Sequence, residues 1–153
     1  MASVVVREAG ETDVPRVLEL YAQLTLGPDD VRRLPDPARG RQTFEEMSRQ
    51  PGFHLLVAET DGTVQGSIVL VIVPNFSYRN RPFAVIENVI VDGEHRRHGI
   101  GAALMAQAAA VARDAGCYKV MLSSNRQRPE AHRFYGRLGY VQTHEAFHLR
   151  FED

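Results

Sequence analysis

The feature that most restricts this chain is a change of hydrophobic period between residues 83 and 115. Phe83 to Val91 is a mostly apolar, β-rich run, the pattern of a central strand covered on both faces. It gives way to the polar turn Asp92-Gly93-Glu94-His95-Arg96-Arg97-His98, and Gly99-Ile100-Gly101-Ala102 then opens a helix that reaches about Ala115. Within that helix Ile100, Leu104, Ala108, Val111 and Ala115 form one apolar stripe, Gln107 stands at its edge, and Gly116 suits the C-cap. A strand that enters a helix through glycines gathers unsatisfied N–H groups and the positive end of the helix dipole at one spot. Glycine lets a bulky anion approach the backbone, and Arg96, Arg97 and His98 add positive charge. The segment therefore predicts a phosphate-binding turn.

The remaining elements place that turn in a mixed fold. Val4-Val5-Val6 reads as a first strand. Thr12 or Asp13 can cap a helix that has Pro15 in its first turn and Val14, Val17, Leu18 and Tyr21 at helical spacing, ended by Gly27-Pro28. A polar stretch from Asp29 leads to a second helix near Ala38–Arg49, stopped by Pro51-Gly52. His54–Glu59 and Val64–Val73 are strands joined by Asp61-Gly62, a strong hairpin signal. Pro74–Pro82 is a loop; Tyr118–Ser123 is a strand, Pro129–Leu138 a short helix, and Gly139 starts a β-rich tail with Phe147, Leu149 and Phe151. The order β-α-α-β-β-β-α-β-α-β predicts an α+β fold with a mixed, mostly antiparallel sheet flanked by helices, in one domain over residues 1–153. Its 153 residues, 44% of them hydrophobic, suffice for one core.

Composition narrows the function. A formal net charge of -1 disfavours a basic nucleic-acid binder, and Arg126, Arg128, Arg133 and Arg137 read as a solvated face. Cys117 is the single cysteine, which excludes an internal disulfide framework and a cysteine-rich zinc site, and it reads as core rather than nucleophile. His95 and His98 have H-x-x-H spacing, but in a turn and without an evident third ligand, so no metal is expected. No run approaches the roughly 20 apolar residues of a membrane span, and Met1–Gly10 lacks a signal-peptide pattern; the expectation is a soluble, cytoplasmic protein without membrane or nucleic-acid partners. A dinucleotide fingerprint fails because Leu104 stands where its third glycine belongs, and a Walker A loop fails because the chain's one lysine is Lys119.

Arg96-Arg97-His98-Gly99-Ile100-Gly101 matches R/Q-x-x-G-x-G/A, and Ala131-His132-Arg133-Phe134-Tyr135-Gly136-Arg137-Leu138-Gly139-Tyr140 looks like A-x-x-F-Y-x-x-x-G-F/Y. With the strand before the first motif and Gly116-Cys117-Tyr118-Lys119-Val120 between them, the stretch from Ile86 to Tyr140 resembles the GNAT family of N-acetyltransferases. The resemblance implies acetyl-CoA as cofactor. A bulge would splay the strand at Ile86–Val91 from that at Tyr118–Ser123, and Val89, Ile90 and Val91 would line the pantetheine arm, with main-chain bonds from Val89 and Val91. Backbone N–H groups from Arg97 to Ala102 would hold the pyrophosphate. Tyr135 would place a phenol near the thioester sulfur, and Asn125 or Arg128 would touch CoA. It also makes a homodimer reasonable.

An attacking amine must be neutral, although a lysine-like amine has a pKa of about 10.4, so a proton acceptor is needed. Glu87, set between apolar runs, is the candidate base, with desolvation expected to raise its pKa; the alternative is a structural carboxylate at the bulge. Transfer would be direct, with a backbone N–H near Val89 facing the developing oxyanion and the Tyr135 phenol serving the leaving thiolate. Tyr135 as a packed aromatic, and the glycine turn as a plain strand-to-helix connection, are the corresponding structural readings. In the loop Pro74–Pro82, Tyr78, Arg79 and Arg81 are candidates for recognising an anionic group on a small-molecule amine, such as a phosphate or phosphonate. Acetylation of a protein or peptide, and a non-catalytic acetyl-CoA sensor, are the competing functions.

Overall fold

The computed structural model describes residues 2–24 and 34–151, so the expected helix stop at Gly27-Pro28 and the start of the polar stretch at Asp29 lie outside the described residues. The chain packs as two compact units, Met1–Met121 and Leu122–Asp153. In the first, β1 (Val5–Glu8), β2 (Phe53–Thr60), β3 (Thr63–Val73), β4 (Phe83–Val91) and β5 (Val120–Leu122) form one sheet in the order β1-β2-β3-β4-β5, the first four antiparallel to their neighbours. Helices α1 (Val14–Tyr21), α2 (Gly40–Arg49) and α3 (Ile100–Asp114) flank it. This is the mixed α+β architecture that the alternation of periods predicts.

Local chemistry explains the main elements. Asp61 and Gly62 both have positive φ, +49° and +76°, so the β2–β3 hairpin closes on the primed turn that matches strand twist. In α3 the buried residues are Ile100, Leu104, Met105, Ala108 and Ala112. The predicted stripe is thus rotated toward Met105 and Ala112, and Ala115 is exposed. Gly116 ends the helix at φ +82°, with Gly116 N–H donating to Arg113 and Cys117 N–H to Ala112, a Schellman pair. Cys117 is buried, and burial pushes its thiol pKa up.

α1 and β4 share a core of Val17, Leu20, Val57, Val64 and Ile90. On β3, Gly66 touches α3 so closely that an added Cβ would sit 2.9 Å from Ile100 Cγ2, 3.0 Å from Leu104 Cδ1 and 3.0 Å from the Ile90 carbonyl. The absence of a side chain at Gly66 therefore sets the depth at which the first turn of α3 rests on the sheet.

The second unit holds α4 (Pro129–Arg137), started by Pro129 at its first position. The Tyr135 ring packs edge-on against Tyr140, centroids 6.2 Å apart, and tilted against Phe134 at 5.3 Å. The expected C-terminal strand is absent: residues 140–151 adopt neither helix nor strand. A strand exists only where a neighbour completes its ladder, and the single chain supplies none to this segment.

Gly66→Ala is expected to lower stability by about 1–3 kcal/mol, the usual range for overpacking, because backbone as well as side-chain atoms must move. Thermal unfolding of the two proteins measures this.

Candidate active site

The centre of β4 departs from a regular ladder. Ser67 pairs with Ile90 and Val69 with Glu87, so Ile68 alone faces two residues, Asn88 and Val89. Asn88 takes up the extra length in the left-handed region, φ +52°, a conformation that asparagine tolerates better than most side chains. Bulges free main-chain groups from pairing and re-aim side chains. The consequence is visible in exposure: Ile86 and Ile90 are buried, Val89 and Val91 half-buried, Glu87 and Asn88 exposed. Two expectations are corrected here. β4 is not covered along its whole length, and Glu87, paired with Val69 and on the face opposite buried Ile86, is open to solvent rather than desolvated.

Beyond Val91 the chain is gathered by Asp92. Its side chain, 11% exposed, accepts from Glu94 N–H (3.0 Å), Arg16 Nη2 (2.9 Å) and Gln23 Nε2 (3.3 Å), and lies 3.2 Å from His95 Nδ1. The Glu94 N–H and the His95 ring lead in holding its pKa well below the usual carboxylate range. Arg16 also donates to the Val64 carbonyl and to Gln65 Oε1, Gln23 accepts from Gly93 N–H, and Asp92 N–H donates to the Gln65 carbonyl. The turn is thereby fastened to α1 and to β3.

After this anchor, Arg97 (φ +67°) and Gly99 (φ +79°) both adopt left-handed backbone and swing the chain into α3. No side chain caps α3 at Gly99, and no acidic residue occupies its first turn. Its first N–H groups therefore have no intrahelical acceptor, and Arg96, Arg97, His98 and Gly99 are exposed around them. Ile100 is buried and Gly101 and Ala102 half-buried. His98 Nδ1 lies 3.1 Å from the His95 carbonyl. Uncapped donors, helix dipole, local cations and small residues suit a diphosphate bound through the main chain.

The loop after β3 is more ordered than expected. Tyr78, Arg79 and Asn80 have φ of +51°, +59° and +61°, a left-handed turn of three successive non-glycine residues. Two contacts hold it: the Tyr78 ring stacks on Tyr118 with centroids 3.9 Å apart, and Arg81 donates to the Gly116 carbonyl (3.1 Å) and the Cys117 carbonyl (3.0 Å). Arg81 thus pins the loop to the end of α3, while Tyr78 and Arg79 are exposed.

Asn125, Arg128 and Tyr135 belong to the second unit. Asn125 Oδ1 accepts from Gln127 N–H at 2.8 Å, and its carbonyl lies 2.8 Å from His132 Nε2, so this side chain builds the turn into α4. Arg128 is the exposed N-cap residue of that helix.

Sequence reasoning missed Arg16, Gln23 and Gln65, whose contacts with the anchor come from chain-distant segments, and it missed Tyr21. The Tyr21 hydroxyl is buried without a hydrogen bond among the described residues; burial pushes its pKa up to about 12, with the Asn88 side chain acting in the opposite sense. An aspartate directly after a strand and before glycine was the one available signal for the Asp92 anchor.

The fold and this turn define an α+β protein suited to holding a diphosphate-bearing donor on main-chain groups beside a bulged strand. The sequence profile described as "Acetyltransferase (GNAT) family" matches residues 15–140. A glucosamine 6-phosphate N-acetyltransferase of Trypanosoma brucei brucei is 34% identical over 140 residues, covering 88% of this chain and 86% of that protein. An aminoalkylphosphonate N-acetyltransferase of Salmonella typhimurium is 36% identical over 107 residues, covering 70% of this chain and 69% of that one. Among solved structures, an acetyltransferase of Trypanosoma brucei superposes with a TM-score of 0.79 at 29% identity, covering 97% of this chain and all of that one, 100%. The chain belongs to the GNAT family and is an acyltransferase enzyme. Enzymes of this family bind acetyl-CoA and an amine acceptor. Among the described residues no helix is long and apolar enough to cross a membrane.

Removing the anchor tests its weight. Asp92→Asn is expected to cost about 2–4 kcal/mol, because it removes the buried one of the Arg16 guanidinium's two carboxylate partners and leaves only the exposed Glu19. Since folding lowers the Asp92 pKa, its contribution is complete above the unfolded value near pH 4 and fades as pH falls through the folded one. The wild-type excess in stability over Asp92→Asn, followed by denaturant melts, should shrink only on the acid side.

Proposed function

We propose that this enzyme transfers the acetyl group of acetyl-CoA directly to the primary amine of a small molecule bearing a phosphate or phosphonate. The observation that supports it most is the sequence of bulge, anchored turn and uncapped helix at Asn88, Asp92 and Gly99. In this reading the N–H groups from Arg97 to Ala102 bind the pyrophosphate of acetyl-CoA, with Arg96, Arg97 and His98 adding charge. Main-chain groups of Val89 and Val91 orient the pantetheine arm along β4, with Ile90 fixed in the core between them. Bound there, acetyl-CoA supplies an activated thioester carbonyl, and the N–H near Val89 faces its oxygen.

Glu87 takes the proton of the acceptor amine. Its exposure in the free chain means that the acceptor itself supplies the desolvation when it covers this carboxylate. Tyr135 holds a proton for the departing thiolate. With the Asn125 oxygen used in a turn, Arg128 is the better partner for a CoA phosphate. Arg79, an exposed cation on a braced turn beside Tyr78, reads the acceptor's anionic group, and Arg81 keeps that turn in place. Two relatives, named for glucosamine 6-phosphate and for aminoalkylphosphonates, support an acidic acceptor.

Thiol release from acetyl-CoA, measured over a panel of amines, decides between acceptors. Glucosamine 6-phosphate or aminoalkylphosphonates should be turned over faster than polyamines, aminoglycosides or peptides; a preference for peptides, or release with no amine, overturns the proposal. Two sets of variants test the roles. Glu87→Gln should lower kcat about 100-fold with acetyl-CoA affinity retained, as expected of a general base. Gly99→Ala should weaken acetyl-CoA binding about tenfold in calorimetry, since a left-handed alanine costs about 1–2 kcal/mol where the donors must converge.

A further inference from the structure

At the end of α1, the Tyr21 ring packs against the core cluster of Val17, Leu20, Val57, Val64 and Ile90. Its hydroxyl is closed to solvent and, among the described residues, is the one buried side-chain polar atom with no hydrogen bond. A buried orphan costs stability, and native structures keep very few. The polar group that faces it is the Asn88 side chain, which acts against the rise in the phenol's pKa without completing a bond. Asn88 is also the residue that carries the bulge, left-handed at φ +52° and exposed. Tyr21 further lines a cavity of about 460 Å³ between α1 and α2, together with Leu18, Phe44 and Met47. The ring therefore has room to follow a shift of Asn88.

We propose that Tyr21 is a positioning residue for acetyl-CoA: when the pantetheine arm bonds to the main chain beside the bulge, the Asn88 amide closes onto the Tyr21 hydroxyl and locks the bulge in its working shape. The inference rests on the donor-binding part of the function proposed above. Asn88 and Val89 together face Ile68, so a ligand held by Val89 also fixes the planar peptide that joins Val89 to Asn88. The bond is absent in the free chain and present in the complex, and an interaction of that kind contributes in full to affinity. The free protein meanwhile carries the penalty of the orphan. Removing the hydroxyl should thus weaken binding without weakening the fold, which a purely structural tyrosine does not do.

Calorimetry with acetyl-CoA and thermal unfolding of the free protein test this on Tyr21→Phe, which keeps the ring, and Asn88→Gly, which keeps the left-handed backbone. Each should raise the Kd for acetyl-CoA about fivefold to tenfold, the loss of one hydrogen bond. The double variant should bind no worse than either single one, because both remove the same bond. The Tm of free Tyr21→Phe should equal or exceed that of the wild type. An unchanged Kd in Tyr21→Phe, additive effects in the double variant, or a lower Tm for Tyr21→Phe overturns the inference. Should Asn88→Gly fold poorly, Tyr21→Phe decides alone through its Kd and Tm. Gly99→Ala separates this inference from the reading beneath it. If Gly99→Ala weakens binding and Tyr21→Phe does not, the diphosphate site stands and only the Tyr21 role falls. If neither weakens binding, both fall.

Discussion

The carboxylate of Asp92 is where three separated parts of the first unit are joined. Strand β4 delivers it, the turn over Gly93–His95 is wound around it, and Arg16 and Gln23 reach it from α1 and the turn that follows that helix. A single exposed ion pair contributes little to stability. This one differs because Asp92 is buried and each of its oxygens has donors, so the charge is compensated without water. The link that follows is mechanical. With Asp92 fixed, the left-handed residues Arg97 and Gly99 can turn the chain only one way into α3, and Gly66 sets how closely that helix lies on β3. Placement of the uncapped N–H groups is thus decided several residues before the helix begins.

The β4 bulge contributes the other half of the arrangement. An uninterrupted ladder would set one β4 residue opposite each residue of β3. Doubling Asn88 and Val89 against Ile68 interrupts the pairing where a donor's arm is proposed to lie, and Asn88 is a residue type that accepts the necessary φ. Glu87, next to the bulge and opposite buried Ile86, stays open to solvent. In the mechanism proposed above, a base that is hydrated when free and covered only when an acceptor arrives would avoid the cost of a permanently buried carboxylate.

How much of this could be read from residues alone differs by physical cause. Period and punctuation gave the elements of the first unit, because Asp61-Gly62, Pro51-Gly52 and Gly116 act locally. The glycine turn at Gly99 was legible for the same reason. Whether Glu87 is buried was not, because its neighbours in sequence are apolar whereas its exposure depends on what covers its face of β4, which is a tertiary matter. Arg81 was read as a substrate contact from its charge, yet its partners Gly116 and Cys117 lie 35 and 36 positions away. The C-terminal strand failed for a different reason: its residues have the right period, but pairing belongs to whatever surface they meet.

Holding a donor by main-chain groups has a consequence for the rest of the molecule. Backbone N–H groups exist at every position, so the proposed recognition of acetyl-CoA would depend on conformation at Asn88, Arg97 and Gly99 more than on side-chain identity. Specificity for the acceptor is then free to reside in side chains on separately braced segments. The turn at Tyr78–Asn80 has that character: three left-handed residues are costly in isolation, and the Tyr118 stack and the Arg81 clamp offset that cost. On the proposed reading, a braced turn that presents Arg79 would lose little entropy when an anion binds, which would favour a small, charged acceptor over a flexible peptide.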